Sequence, residues 1–219
     1  MEKPNITKET TETLLETKFL KVFDLQYAPG KHYFDATRRS KEELVALQSD
    51  EDCSTMLPDA VTCIVVVQEA GEKAKLLLTY EFRYPTGQFL LSPPAGLIDP
   101  QDKEKAQPLL ETAAREIHEE TGLTVQETDR LHVVNPCLFS SPGMTDESNA
   151  LVCAVLHPED LSQLTQAGAV GSECFDGFVM LSKAEAQEIL RQGRDAHGMF
   201  YSVYTWAALL YFVSGLWDE

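Results

Sequence analysis

The stretch Pro94-Ala95-Gly96-Leu97-Ile98-Asp99, followed by Arg115-Glu116-Ile117-His118-Glu119-Glu120-Thr121-Gly122-Leu123, decides how this chain is read. Pro108 suits the first turn of a helix, where a missing N–H costs nothing. Gly122 suits the left-handed residue that closes one. Between them Leu110, Ala113, Ala114 and Ile117 recur at helical spacing and form one apolar face. The spacing predicts a helix over 108–121. On it Glu116 and Glu120 are four apart and stand one above the other, and Glu119 reaches the same space. Three converging carboxylates repel one another unless a cation lies among them. An all-carboxylate site suits a hard ion, Mg²⁺ or Mn²⁺. The alternative is a solvated acidic face paired with basic side chains. Arg115 is the only Lys or Arg in the helix and can pair with Glu111 and Glu119 at i±4, which leaves Glu116 and Glu120 without a local partner.

Composition narrows the class. The chain has 219 residues, 43% of them hydrophobic, enough for one large domain or a domain with an appendage. A net charge of −17 argues against a duplex nucleic acid as partner. Any phosphate-bearing ligand would then have to be drawn in by local arginines and metal. The five cysteines (Cys53, Cys63, Cys137, Cys153, Cys174) show no metal-ligand spacing and read as free thiols of a reducing cytosol. Residues 1–17 are polar and charged, unlike a signal peptide, so a cytoplasmic location is expected. Residues 199–217 are mostly apolar but carry Ser202, Thr205, Ser214 and three tyrosines. A core or interface helix fits them better than a membrane span.

Taken in order, residues 1–16 read as frayed or loosely helical. Residues 18–39 read as a hairpin with its turn at Pro29-Gly30. Residues 40–59 read as irregular, with a short helix over 41–48. Strands are expected over 61–67, 74–82, 89–91, 131–134, 150–156 and 178–181, and helices over 159–165 and 183–192, the last ended by Gly193. Strands on both sides of one central helix, then a late helix, predict a mixed α/β layered domain.

Arg115-Glu116-x-x-Glu119-Glu120-x-Gly122 behind a glycine loop resembles the Nudix hydrolase box, which cleaves a nucleoside diphosphate linked to another moiety with a divalent metal. There is one departure from that pattern. Gly96 and Arg115 are nineteen residues apart, about five more than the family spacing. Counting on from Gly96 puts the family's intervening glutamate at Asp102; counting back from Arg115 puts it at Gln107. The extra residues are expected to bulge as a loop over 100–106, with Glu111 standing in for the glutamate that orients the arginine. Glu81-Phe82-Arg83-Tyr84-Pro85-x-Gly87, the Pro94-Ala95-Gly96 run, Ser141-Pro142-Gly143 and the hairpin ending in Arg38-Arg39 are similar to the ADP-sugar pyrophosphatase branch. The glutamate that often stands two residues before the Pro-Ala-Gly triplet is Ser92 here.

The resemblance implies an α/β/α sandwich with a mixed sheet and an N-terminal β-hairpin extension. Residues 1–58 would be a β-rich extension for dimerisation and base binding, and 59–219 the Nudix hydrolase domain. It implies Glu116, Glu119, Glu120 and the carbonyl of Ala95 as ligands of Mg²⁺ or Mn²⁺. Arg115 would be part of the catalytic box, and Glu173 the general base, with Asp176 as alternate and Glu119 also in the running. Arg39 and Arg83 would grip phosphates, though surface salt bridges are the plain alternative for both. Phe19 and Phe34 would stack the base, though hairpin core is the ordinary place for a strand aromatic. Gly143 lies in the downstream substrate loop, and His118 reads as structural. The implied substrate is a nucleotide sugar, first ADP-ribose, hydrolysed to AMP and ribose 5-phosphate by a homodimer. A UDP-sugar hydrolase and a non-catalytic nucleotide-sugar sensor are the alternatives. The intact Glu116, Glu119 and Glu120 oppose the sensor.

Overall fold

The computed structural model describes residues 3–219, which divide into two compact units. The larger comprises Ala60–Pro136 and Ala150–Glu219. Its centre is the strand β4 (Ala60–Val67), with all eight residues buried. A run apolar at every position but Thr62 marks a strand covered on both faces. Strands β5 (Lys75–Arg83), β6 (Gln88–Ser92), β7 (Ala95–Leu97), β8 (Arg130–Phe139), β9 (Ser148–Leu156) and β10 (Phe175–Leu181) complete a seven-stranded sheet. Its main path runs β10-β5-β4-β9-β8, with β6 paired to β5 and β7 to β4.

The two faces follow the alternation of side chains along each strand. Ile64, Val66, Leu76, Leu78 and Val155 pack with α4 (Lys183–Gln192) and α5 (Val203–Ser214). Val61, Cys63, Val65, Leu77 and Val152 pack with Ala113 and Ile117 of α3 (Pro108–Thr121). Helices therefore cover both faces, the mixed α/β layering expected from the order of elements. Pro108 opens α3, and the N–H of left-handed Gly122 (φ 76°) bonds the carbonyl of His118. Ser182 and Glu185 cap α4 reciprocally. Ser202 caps α5, and the hydroxyl of Thr205 donates to the carbonyl of Leu91 at 2.6 Å.

Several local expectations are corrected. Residues 100–106 do not form a plain bulge: Pro100–Lys103 make one helical turn, α2, opened by proline. No helix forms over 159–165, where the chain runs in turns. The expected strand 131–134 lies in the first half of the ten-residue β8, and β10 begins three residues before 178. Pro136 interrupts the strand signal in β8, and Gly177 does so at the bulge of β10.

The smaller unit comprises Met1–Asp59 and Cys137–Asn149. It holds an antiparallel sheet of β1 (Thr11–Glu16), β2 (Lys21–Ala28) and β3 (Lys31–Thr37). The hairpin is the one expected. Residues 1–2 of the frayed or helical reading lie outside the described residues, and over residues 11–16 β1 corrects it. Five of its six residues are exposed, so no apolar alternation announced it, and pairing with β2 holds it. Two 3₁₀ turns, Lys41–Glu43 and Val45–Leu47, replace the helix expected over 41–48, and Asp50–Thr55 form α1. Phe23, Leu25 and Leu44 make a small core. Residues 137–149 join this unit through backbone bonds from Ala36 N–H to Met144 and from Asp59 N–H to Ser148.

Candidate active site

Every described group of the carboxylate site lies in the larger unit. Helix α3 turns Glu116 and Glu120 inward beside its apolar face, where they are 5% and 3% exposed. The β7 backbone comes down on them. Ala95 N–H donates to Glu120 Oε1 at 3.2 Å. At Gly96 a Cβ would lie 2.0 Å from Glu116 Oε1, so only glycine admits that carboxylate. Burial, ahead of the neighbouring charges, pushes Glu116 up to about 7 and raises Glu120 well above the ordinary carboxylate range.

Arg115 corrects the expected pairing. Its Nη1 lies 2.8 Å from Glu119 and 2.7 Å from Glu116, so Glu116 is not left without a local partner. Its Nη2 reaches Asp102 at 3.3 Å and donates to the carbonyl of Leu97 at 3.1 Å. Glu111 is not the stand-in: it accepts from Gln107 N–H at 3.4 Å and faces Lys105 at 3.7 Å. The carboxylate that orients the arginine is Asp102, 1% exposed and delivered by α2. Lys105 bonds it from the other side at 2.8 Å, and the two cations hold its carboxyl below the usual range. The lengthened spacing thus still supplies an acid to Arg115.

Glu173 sits on a segment fastened along the end of β5. Tyr84 Oη donates to the carbonyl of Ser172 at 3.2 Å, and Phe82 N–H donates to that of Cys174 at 2.8 Å. Its own Oε2 accepts from Val170 N–H at 2.8 Å. Its charge bears on Glu81, Glu116 and Glu120 and raises all three. Asp176 is exposed at the β10 bulge. Arg83, on β5, pairs with Glu81 at 2.5 Å. Sequence reasoning named Asp102 by its spacing from Gly96 but gave the partner's role to Glu111, and it quoted Glu81 in the branch motif without giving it a role. Glu81 stands two residues from Arg83 on the same strand face, a spacing visible in the sequence. Ser92 is buried and donates its hydroxyl to the carbonyl of Leu90. His118 is exposed and bonds Thr124 at 3.2 Å.

The other expected site residues belong to the smaller unit. Phe19 and Phe34 are 67% and 55% exposed, so neither is hairpin core. Phe34 lines an apolar cavity of about 210 Å³ with Tyr33, Phe139, Pro142 and Met144. The carbonyl of Gly143 accepts from Tyr33 Oη at 2.9 Å. Arg39 is engaged within the unit, at 2.8 Å from Asp59 and 3.4 Å from Asp146, with Ser148 as a third partner.

A divalent cation can be tested against this donor set. Among the described residues no group of three His, Cys, Asp or Glu side chains stands gathered around one ion position, and Arg115 pairs with both Glu116 and Glu119. Yet Glu120 Oε2 is buried with no hydrogen-bond partner, beside a second buried carboxylate. An orphaned buried carboxylate oxygen is costly unless a cation or proton meets it. The donors are all oxygen, so the set fits Mg²⁺ or Mn²⁺.

This arrangement, a carboxylate helix laid against a glycine-bearing strand on one face of a mixed sheet, is that of a known class. The NUDIX domain family matches residues 56–197, and the chain belongs to it. Over 152 residues it is 26% identical to the ADP-sugar pyrophosphatase of Mus musculus, covering 69% of this chain and 64% of that one. Over 134 residues it is 28% identical to the ADP-ribose pyrophosphatase of Bacillus subtilis, covering 61% and 62%. The chain spans from about two fifths to just under two thirds of the length of the curated relatives it matches. A crystal structure of an ADP compounds hydrolase shares the fold, with a TM-score of 0.59 at 20% identity, covering 99% of this chain and 95% of that one.

Proposed function

We propose that the chain hydrolyses the pyrophosphate bond of an ADP-sugar, ADP-ribose first, to AMP and ribose 5-phosphate. The observation that carries this is the buried Glu116–Glu120 pair with its orphaned oxygen, within electrostatic reach of Glu173. The names of the mouse and Bacillus relatives support the substrate class. Glu116 and Glu120 would hold the cation, with Glu119 and the Ala95 carbonyl beside them. Bound there, it supplies positive charge against which phosphate oxygens lose their repulsion for a nucleophile. Glu173 takes the proton of the attacking water. Arg83 grips a phosphate bidentately. Asp102, through Arg115, keeps Glu119 and Glu116 in place. That intact support counts against a non-catalytic sensor.

The smaller unit is proposed to dimerise and to bind the base at Phe19 and Phe34. Its sheet leaves Leu14, Leu15, Phe19, Leu20, Tyr33 and Phe34 exposed, more apolar surface than a solitary sheet carries comfortably. The test of the activity is a panel of ADP- and UDP-sugars with Mg²⁺ and with Mn²⁺, run on the native chain and Glu120→Gln. ADP-ribose should be cleaved best, and the variant should lose at least about 10²-fold in kcat/KM. Turnover of the variant at the native rate under limiting metal would refute the site.

A further inference from the structure

The segment that carries Glu173 runs from Thr165 to Gly177, and its bonds show how it is held. At its start Thr165 N–H donates to the carbonyl of Thr121, the last residue of α3, at 3.0 Å. Gly168 then lies against the α3 backbone. A Cβ there would stand 2.3 Å from the carbonyl oxygen of Glu119, so only glycine lets the segment come so close. The next turn closes on itself: Glu173 N–H donates to the carbonyl of Val170 at 3.1 Å, and Val170 N–H returns a bond to the Glu173 carboxylate. At the far end β10 is bulged between Phe175 and Phe178, with Gly177 left-handed (φ 84°). A bulge leaves backbone groups outside the ladder, and they need other partners. Gln166 supplies them. Its Oε1 accepts from Gly177 N–H at 3.0 Å and its Nε2 donates to the Gly177 carbonyl at 3.2 Å, across eleven residues of chain. A primary amide offers the acceptor and the donor that this needs at once.

We propose that Gln166 is a positioning residue. Its two bonds to Gly177 close the loop that carries Glu173, with one end on α3 and the other on β10, and so set where the general base stands. The inference rests on the reading of Glu173 as that base. Both bonds lie at an exposed part of the chain. Water replaces such bonds when the side chain is lost, so they add little to global stability. The effect of removing them is therefore expected in the rate and in local opening of the loop, not in melting of the fold.

The test is a double-mutant cycle on the full chain, with the best-cleaved sugar of the panel above and kcat and KM read separately. Gln166→Ala should lower kcat by about 10²-fold with KM nearly unchanged, the cost of misplacing a reacting group by about 1 Å. Gln166→Glu keeps the acceptor for Gly177 N–H and loses the donor, and should fall between the native chain and Gln166→Ala. Added to Glu173→Gln, Gln166→Ala should lower kcat by less than about twofold more, because nothing is left to position. Hydrogen exchange gives a readout without turnover. The Gly177 amide should exchange faster in Gln166→Ala, while the amides of β4 stay as protected as in the native chain and so report an intact fold. A native kcat in Gln166→Ala, a loss confined to KM, losses that multiply in the double variant, or an unchanged Gly177 amide each overturns the inference and leaves the nucleotide-sugar reading standing. A Glu173→Gln chain of native kcat moves the base elsewhere and takes the inference with it. A native chain that cleaves no sugar of the panel overturns the nucleotide-sugar reading itself, and the inference with it.

Discussion

Glu173 and Gly96 show what single residues do here. Glu173 is held by the Val170 N–H on a segment sutured to β5, within electrostatic reach of Glu116 and Glu120. A group that takes a proton only in the transition state should affect kcat and not KM. Glu173→Gln is expected to lower kcat by about 10² to 10⁴ with KM nearly unchanged. Loss confined to KM would make Glu173 a substrate contact, and no loss would move the role to Asp176 or Glu119; the three glutamine or asparagine variants measured side by side separate these. Gly96 matters for a different reason. The Glu116 carboxylate already fills the place of its Cβ.

At the scale of elements, the short α2 changes how the chain is understood. The spacing between Gly96 and Arg115 is long because Pro100–Lys103 fold into a turn of helix. That turn places Asp102 on Arg115 and recruits Lys105 as its second partner. Glu111, one turn into α3, serves the helix start instead. Asp102→Asn should therefore cost more than Glu111→Gln. Loss of a charge-assisted bond to a positioned arginine is worth about 2 kcal/mol, so kcat should fall roughly thirtyfold, while Glu111→Gln stays near native. Equal losses in the two variants would return the orienting role to Glu111. The physical reason the sequence misled is simple: i−4 spacing favours Glu111 only when α3 supplies every partner.

For the whole molecule, buried acids tie stability to pH and to metal. Glu116 is raised by burial from 4.5 to about 7 in the folded chain, and Glu120 shifts the same way. A folded value above the unfolded one means that the folded state holds the proton more tightly. The stabilisation is complete below about 4.5 and is lost as pH rises through about 7. A divalent cation that binds the ionised carboxylates reverses the loss. The melting temperature of the metal-free protein should fall from about pH 6 to about pH 8, and the increment from Mn²⁺ should grow over the same interval. A constant increment would contradict metal binding by these residues. The exposed sheet of the smaller unit makes a separate expectation. Light scattering at micromolar protein should give twice the 24.4 kDa chain mass, and a clean monomer would remove the dimer from the proposal.

The sequence by itself determined α3, its closing glycine, the Glu116–Glu120 pair, the central strands and the two late helices. Each of these is announced by local periodicity or by a residue whose backbone has one natural place: Pro108 at a first helical turn, Gly122 at a left-handed end, a β4 run apolar at every position but Thr62. The hairpin was legible for the same reason. Only the tertiary structure decided which acids meet. Asp102 reaches Arg115 across a turn of helix that no periodicity marks, the Phe82 N–H fastens the segment of Glu173 to β5, and β1 exists because β2 offers it hydrogen bonds. Local spacing fixes which side chains share a face of one element, whereas burial and partnership depend on elements brought together from far apart in the chain. That is why the carboxylates and the arginine of the box could be read from the sequence, and the choice of Asp102 over Glu111 as partner of that arginine could not.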